Sequence, residues 1–244
     1  MQQNTNDWAL ITGASSPIGQ QVAMHLGGLG YSLALLGFRH REAMDDLCTT
    51  LSNRNIRFAT KQISLNTQAS LDQVITWLDG LSIKPGVIAW LAASGVMRPV
   101  KELNMHHLGW TFQVSAFSLA IITARLAPRK LIVISSTGAT RVVENYGALG
   151  AAKSALETML RYLAVELAPN TSVFGIRAGL VETSAAHRLP DFDTLRTSVL
   201  SRTPMGRLVT PADIAKLVGL LASEDLEMLT GSILDLDGGL RLVL

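Results

Sequence analysis

Apolar positions follow two rhythms along the chain, and the rhythms take turns. Short, nearly unbroken apolar runs at residues 7–12, 32–37, 57–63, 86–92, 130–135, 171–178 and 233–236 have the length and character of strands buried on both faces. Between them, at residues 20–29, 42–54, 70–81, 105–126, 146–167 and 211–221, apolar residues recur every three or four positions, the period of a helix with one buried stripe. The stripe is clearest at Leu149, Ala152, Leu156, Met159, Leu160, Leu163 and Leu167. Strand and helix in alternation predict an α/β domain, a doubly wound parallel sheet of about seven strands with helices on both faces, joined by right-handed crossovers. Residues 184–203 carry neither rhythm and read as an irregular stretch able to cover a site as a lid. No repeat, low-complexity tract or linker divides the chain, so residues 1–244 read as one domain.

The first strand runs into Gly13-Ala14-Ser15-Ser16-Pro17-Ile18-Gly19 and then into a helix. A strand, a glycine loop and a helix N-terminus make an anion site, because backbone N–H groups and the helix dipole face one point. Gly13 permits the tight turn and Gly19 a close approach of helix to strand or ligand. Pro17 is tolerated in the first helical turn, where its missing N–H has no partner to lose, but it offers an anion one donor fewer. After the second strand the chain reads Leu36-Gly-Phe-Arg-His-Arg41, with two arginines and no carboxylate. An acid there would accept hydrogen bonds from an adenosine ribose, whereas Arg39, and more weakly Arg41, suits a 2′-phosphate. With a dinucleotide in the loop, NADPH is therefore expected over NADH; the competing reading is two arginines solvating a turn.

A phenol and an ammonium stand seven positions apart at the head of the fifth helical segment, Tyr146 and Lys153. Seven positions are two turns, so both can look into one cleft. A cation near the phenol would stabilise phenolate, lower the tyrosine pKa and make it a better proton donor to a nascent oxyanion. Without further context the same residues are a half-buried aromatic and a solvated lysine.

The loop from Thr12 to Gly19, the pair Ser135-Ser136 and the Tyr146/Lys153 pair together resemble the short-chain dehydrogenase/reductase family, over essentially the whole chain. The fold implied is Rossmann-like. The family's usual tyrosine lies four positions before the lysine, where this chain has Leu149. Six residues between tyrosine and lysine, with Ala92-Ala-Ser-Gly-Val-Met-Arg-Pro-Val100 and Arg161-Tyr-Leu-Ala-Val-Glu-Leu-Ala168, look like the enoyl-acyl-carrier-protein reductases, closest to the NADPH-dependent type III enzymes. The resemblance implies a catalytic set of Tyr146, Lys153 and Ser136, the last seventeen positions before Lys153 as in the family. It implies cofactor contacts from Gly13, Ser15, Ser16, Ile18 and Gly19, then Arg39 and Arg41, Ser64 and Leu65, Ala92 and Ala93, with Lys153. Gly179, Val181 and Thr183 would hold the carboxamide. Moving the tyrosine three positions, roughly 4.5 Å along a helix, suits a reaction whose negative charge emerges two carbons from the carbon that receives hydride.

Several positions depart from the family's pattern. Trp90-Leu-Ala-Ala93 replaces Asn-Asn-Ala-Gly, so adenosine-side hydrogen bonds must come from backbone; Ser64 replaces an aspartate, Ser115 an asparagine and Ala178 a proline. Three readings stay open: reduction of a 2-enoyl thioester, reduction of a 3-oxoacyl thioester, and an inactive NADP-binding scaffold subunit. For the enoyl reading the substrate would arrive on an acyl carrier protein, usually acidic, which basic residues near the lid (Arg98, Arg141, Arg188, Arg196, Arg202) could meet. The family also implies a homotetramer, or a homodimer, built on the helices that start at Met105 and Tyr146.

Composition narrows the remaining classes. A net charge of +2 with no basic stripe argues against nucleic acid. Apolar residues are 48% and charged residues 16%, a greasy balance that suits extensive burial and subunit contacts. One cysteine, Cys48, excludes an internal disulfide and fits a reducing cytoplasm. Residues 1–6 lack the basic start of a signal peptide, no apolar run is long enough to span a bilayer, and five histidines show no metal-ligand spacing, so neither membrane nor metal is expected.

Overall fold

A computed structural model describes residues 7–243; the expectation for residues 1–6 lies outside the described residues. Seven strands, β1 (Trp8–Thr12), β2 (Ser32–Gly37), β3 (Phe58–Gln62), β4 (Pro85–Trp90), β5 (Lys130–Ser136), β6 (Ser172–Ala178) and β7 (Ile233–Leu236), form one parallel sheet in the order β3-β2-β1-β4-β5-β6-β7. The doubly wound, Rossmann-like α/β architecture expected from the sequence is the one observed. β1, β2 and β4 are buried at every position, which is why they read as apolar runs without alternation. The strand order reverses between β1 and β4, and the crevice at their carboxyl ends is where such sheets bind ligands.

Helices α1 (Pro17–Gly28), α2 (Arg41–Asn53), α3 (Gln68–Gly80), α4 (Met105–Phe112), α5 (Ser118–Leu126), α6 (Gly147–Glu166), α7 (Phe192–Arg202) and α8 (Pro211–Ser223) cover the sheet. On one face Val22 and Leu26 of α1, Leu47 and Leu51 of α2, and Ile214 and Val218 of α8 pack against Ile11, Leu33 and Phe174. On the other, Leu71 and Val74 of α3, Leu119 and Ile122 of α5, and Leu156 and Leu160 of α6 pack against Leu10, Trp90 and Val133. Helix starts follow local chemistry. Ser16 caps α1 ahead of Pro17, Thr67 and Ser70 cap α3 reciprocally, and Thr210 and Asp213 do the same for α8 ahead of Pro211. Among the described residues no helix is long and apolar enough to cross a membrane.

Two elements differ from the sequence reading. Residues 105–126 are not one helix: a π-helical segment at Gln113–Phe117 separates α4 from α5. Ser115 sits at its centre with no exposed surface, donating to Ser94 O at 3.0 Å and accepting from Ser94 N at 3.2 Å. The extra residue in the turn ties the helix to the loop after β4, and an apolar period cannot register it. The stretch expected to be irregular contains α7. Of its residues only Phe192 is buried, so no apolar stripe announces the helix.

Candidate active site

A cleft of about 370 Å³ opens at the carboxyl ends of β1, β2 and β4. Its floor at one end is the loop after β1. Gly13 adopts φ +69°, and a Cβ there would lie 3.3 Å from the Leu91 carbonyl. Ser16 Oγ donates to Gly13 O at 2.8 Å and accepts from Gly19 N at 3.0 Å, while Ser15 Oγ donates to Arg39 O at 2.8 Å, so both hydroxyls hold the loop in shape. Thr12, fully buried, accepts from Leu91 N and Ala92 N, each at 3.0 Å, and locks the ends of β1 and β4 together. Gly19 is not in the cleft wall: its missing Cβ would lie 2.3 Å from Gly13 O, so its role is the approach of α1 to the loop.

Beyond this loop the wall carries Phe38 and Arg39 after β2, then Ser64 and Leu65 after β3. Arg39 is exposed with its guanidinium 5.8 Å from the Phe38 ring centre. Arg41 begins α2 outside the main cleft and lines an adjoining cavity of about 150 Å³ with Arg39 and Lys61, a third cation that the β2 motif could not announce, and one carboxylate, Asp45, so the cations outnumber the acid there. Ser64 Oγ is buried without a hydrogen-bond partner in the protein. That orphaned hydroxyl, the glycine-floored loop at a helix N-terminus and the cationic rim fit the adenosine and phosphate parts of a nicotinamide dinucleotide. Ala92 and Ala93 line the middle of the cleft.

At the other end the wall is Ser94, Gly95, Met97, Trp110, Val114, Tyr146, Leu149 and Thr183 to Ala185, with Arg188 at the mouth. Tyr146 is the residue immediately before α6, and its ring lies against Gly138, where a Cβ would come within 2.6 Å of Cε1. Leu149 is 4% exposed and fills space beside Gly95, so the seat of the family's usual tyrosine is closed by hydrocarbon. Tyr31 is buried with its hydroxyl donated to Ala222 O at 3.0 Å, and Tyr162 is exposed, which leaves Tyr146 as the one tyrosine of the chain in this cleft. Burial raises the Tyr146 pKa and a hydrogen bond with Ser136 opposes the rise. Ser136 also caps the short turn Thr137–Ala139, accepting from Gly138 N at 3.1 Å, so it combines the capping and hydrogen-bonding roles.

Lys153 does not line the cleft wall. It is 5% exposed and donates to Ile134 O of β5 at 2.7 Å. Burial pushes its pKa down to about 8, against the opposing charge of Glu157. The expectation that a neighbouring cation lowers the Tyr146 pKa is therefore corrected: desolvation dominates, and the phenol keeps its proton through neutral pH. Gly179 and Val181 lie just behind the wall, Gly179 against Asp237 and Val181 bridged to Val209, while Thr183 faces the cleft and caps the next turn through Ala186 N at 3.2 Å. Of the arginines proposed around the lid only Arg188 reaches the cleft; Arg196 pairs with Glu182 at 3.0 Å and Arg141 donates to Arg241 O at 2.8 Å. Ser94 and Trp110, joined by a 3.1 Å hydrogen bond from Trp110 Nε1, were not singled out as site residues by the sequence, because their pairing across sixteen positions is a tertiary contact between α4 and the loop after β4.

Residues 13–241 match the family described as Enoyl-(Acyl carrier protein) reductase. The chain is 25% identical to a 1-cyclohexenylcarbonyl-CoA reductase of Streptomyces collinus, over 99% of this chain and 90% of that protein. It is 26% identical to a 3-oxoacyl-acyl-carrier-protein reductase of Pseudomonas aeruginosa, over 95% of this chain and 96% of that protein. Among solved structures, a short-chain dehydrogenase/reductase from Brucella melitensis superposes with a TM-score of 0.87 over 96% of both chains at 24% identity.

Proposed function

The chain belongs to the short-chain dehydrogenase/reductases, in the group described as Enoyl-(Acyl carrier protein) reductase, and from that membership we propose that it reduces the 2,3 double bond of an enoyl thioester with NADPH. The observation that carries the reading is the pairing of Tyr146 in the cleft with Leu149 closing the alternative seat. An acid at position 149 would serve an oxygen on the carbon that receives hydride. One at position 146 serves charge emerging further away, on the thioester oxygen.

The bound cofactor supplies the hydride. The chain's own groups do the rest. The loop from Gly13 to Gly19 and the N-terminus of α1 hold phosphate, Arg39 with Arg41 and Lys61 the 2′-phosphate, and Val181 and Thr183 the carboxamide. Tyr146, protonated at neutral pH, donates a hydrogen bond to the thioester carbonyl that strengthens as enolate charge develops, and then gives up that proton to the enolate oxygen, the enol passing on to the saturated thioester. Ser136 orients that phenol. Lys153, cationic below about 8, stands behind the same wall, one donor on Ile134 O and two left for the cofactor's ribose. Met97, Trp110, Val114 and Leu149 give the acyl chain an apolar surface and keep water from it.

Following NADPH absorbance with crotonyl and acetoacetyl thioesters, on coenzyme A and on acyl carrier protein, tests this reading. Crotonyl thioester is expected to be the faster substrate. Oxidation with acetoacetyl thioester alone would instead assign a keto reductase, the activity in the name of the Pseudomonas relative. NADPH binding with neither oxidised would assign a scaffold.

Cofactor choice has its own test. Arg39 stands exposed on the rim, so its bonds to a 2′-phosphate are charge-assisted but screened. Arg39→Ala is expected to weaken NADPH binding by about one order of magnitude at low salt and to leave NADH binding nearly unchanged. Equal losses for both nucleotides would remove the phosphate role.

The site of action proposed is the cytoplasm, and the assembly a homotetramer or homodimer. Phe117 after α4, and Tyr162 and Val165 on the outer face of α6, are exposed apolar groups on the two helices expected to form it.

A further inference from the structure

Behind the cleft, between α6 and the sheet, runs a row of charged side chains that the reaction outlined above does not use. Glu157 lies one helical turn after Lys153 and is 5% exposed. It accepts from Ser135 Oγ at 2.6 Å and from Arg177 Nε at 3.0 Å on Oε1, and from Arg177 Nη2 at 2.7 Å on Oε2. Arg177 Nη1 donates to Asp235 Oδ1 at 2.9 Å, and Asp235 Oδ2 meets Arg241 Nε at 3.0 Å near the surface. Ser135, Arg177 and Asp235 are partners in register on β5, β6 and β7, so the row crosses three strands side by side.

Buried ion rows are a poor means of gaining stability, since well-packed apolar side chains do as well or better. Their presence here calls for another reason, and the nearest group that needs one is Lys153. Its ammonium has three donors, and one of them meets Ile134 O. Glu157 meets Ser135, the next residue of β5, from the next turn of the same helix. Cation and carboxylate are thus held on successive residues of one strand. Ser135 and the guanidinium fork of Arg177 fix the carboxylate so that it cannot swing away.

We infer that Glu157 is a positioning residue for Lys153: a carboxylate clamped by Ser135 and Arg177 holds the buried ammonium in its protonated form behind the cleft wall. The inference rests on the reading of Lys153 as a cofactor-holding group. Tyr146 precedes α6, and the elements packed against that helix carry His106 and His107 on α4, Arg125 on α5, Lys130 at the far end of β5 and Arg177 on β6, which leads on to Asp235 and Arg241. Among the described residues Glu157 is the charge that acts on Lys153, in opposition to burial. The sign is fixed by that opposition. Lys153 carries its proton below about 8 and loses it above. Without the carboxylate's charge, burial acts alone and the proton leaves at lower pH.

NADPH binding, followed by nucleotide fluorescence at stepped pH, reads this without any acyl substrate. Wild-type affinity is expected to fall as pH rises through about 8. In Glu157→Gln the fall is expected about one unit lower or more, with affinity at about pH 6 little changed, and Glu157→Asp returns part of the shift. Should Glu157→Gln fail to fold because Arg177 is stranded, Glu157→Gln with Arg177→Met removes both charges and is expected to show the same displacement. A fall that Lys153→Met abolishes but the Glu157 variants leave in place, with only Tm reduced, overturns the inference and spares the reading beneath it. A fall that persists unmoved in Lys153→Met overturns both.

Discussion

Tyr146→Phe is expected to slow NADPH oxidation with a crotonyl thioester by about two to four orders of magnitude while NADPH affinity stays within a small factor. The substitution removes one oxygen, with its hydrogen bond to Ser136, and leaves the packing of the ring intact. The ring is held by Gly138, where a Cβ would come within 2.6 Å of Cε1, and phenylalanine keeps that contact. What disappears is the phenol that burial keeps protonated, the one tyrosine hydroxyl in the cleft. A single preorganised donor at a developing oxyanion is worth about 3–4 kcal/mol, and loss of proton delivery adds to it. The alkaline fall in NADPH binding expected near 8 from Lys153 should survive in Tyr146→Phe, which separates the two groups in one pair of titrations. If the variant keeps more than about a tenth of the wild-type rate, the acid of this reaction is some other group, and the tyrosine only lines the wall.

The strands and their boundaries were legible because burial on both faces erases alternation and leaves apolar runs, as in β1 and β2. The glycine loop was legible because Gly13 and Gly19 answer to steric demands that no other residue meets, although Gly19 serves the helix–loop contact and not the cleft. α7 was not legible, since a helix that buries one residue writes no stripe. Neither was the π-helical turn, which depends on Ser115 reaching Ser94 in a loop twenty-one positions earlier. The Tyr146 and Lys153 pair was visible as spacing, but spacing said nothing of depth. Lys153 lies behind the wall and its ammonium turns to β5, so the expected effect on the phenol yields to desolvation. Glu157 stood in plain view one turn after Lys153, yet the sequence gives no hint that Ser135, Arg177 and Asp235 are neighbours. That follows from strand order, and strand order from crossovers that local sequence does not encode.

Gly19→Ala is the change expected to do most damage for its size, lowering Tm by roughly 6–12 °C and weakening NADPH binding by about two orders of magnitude. The added methyl would sit 2.3 Å from Gly13 O, 2.7 Å from Ala14 Cα and 2.9 Å from Ala14 C. All three are backbone atoms, so no rotamer change relieves the clash. Overpacking of this kind costs about 3 kcal/mol when the surroundings give way. What must give way here is either α1, bound to α8 and to the sheet through Val22 and Leu26, or the loop that Ser16 and Thr12 hold in place. The loop has the fewer apolar contacts, and its movement carries Ser15 and Ser16 out of the cleft wall. Stability and nucleotide affinity should therefore fall together. Gly28→Ala is the control: the same residue type near the other end of α1, with nothing within 4 Å of the added Cβ, is expected to leave both unchanged or to stabilise slightly. Comparable losses in the two variants would show that the helix, and not its contact with the loop, governs the site.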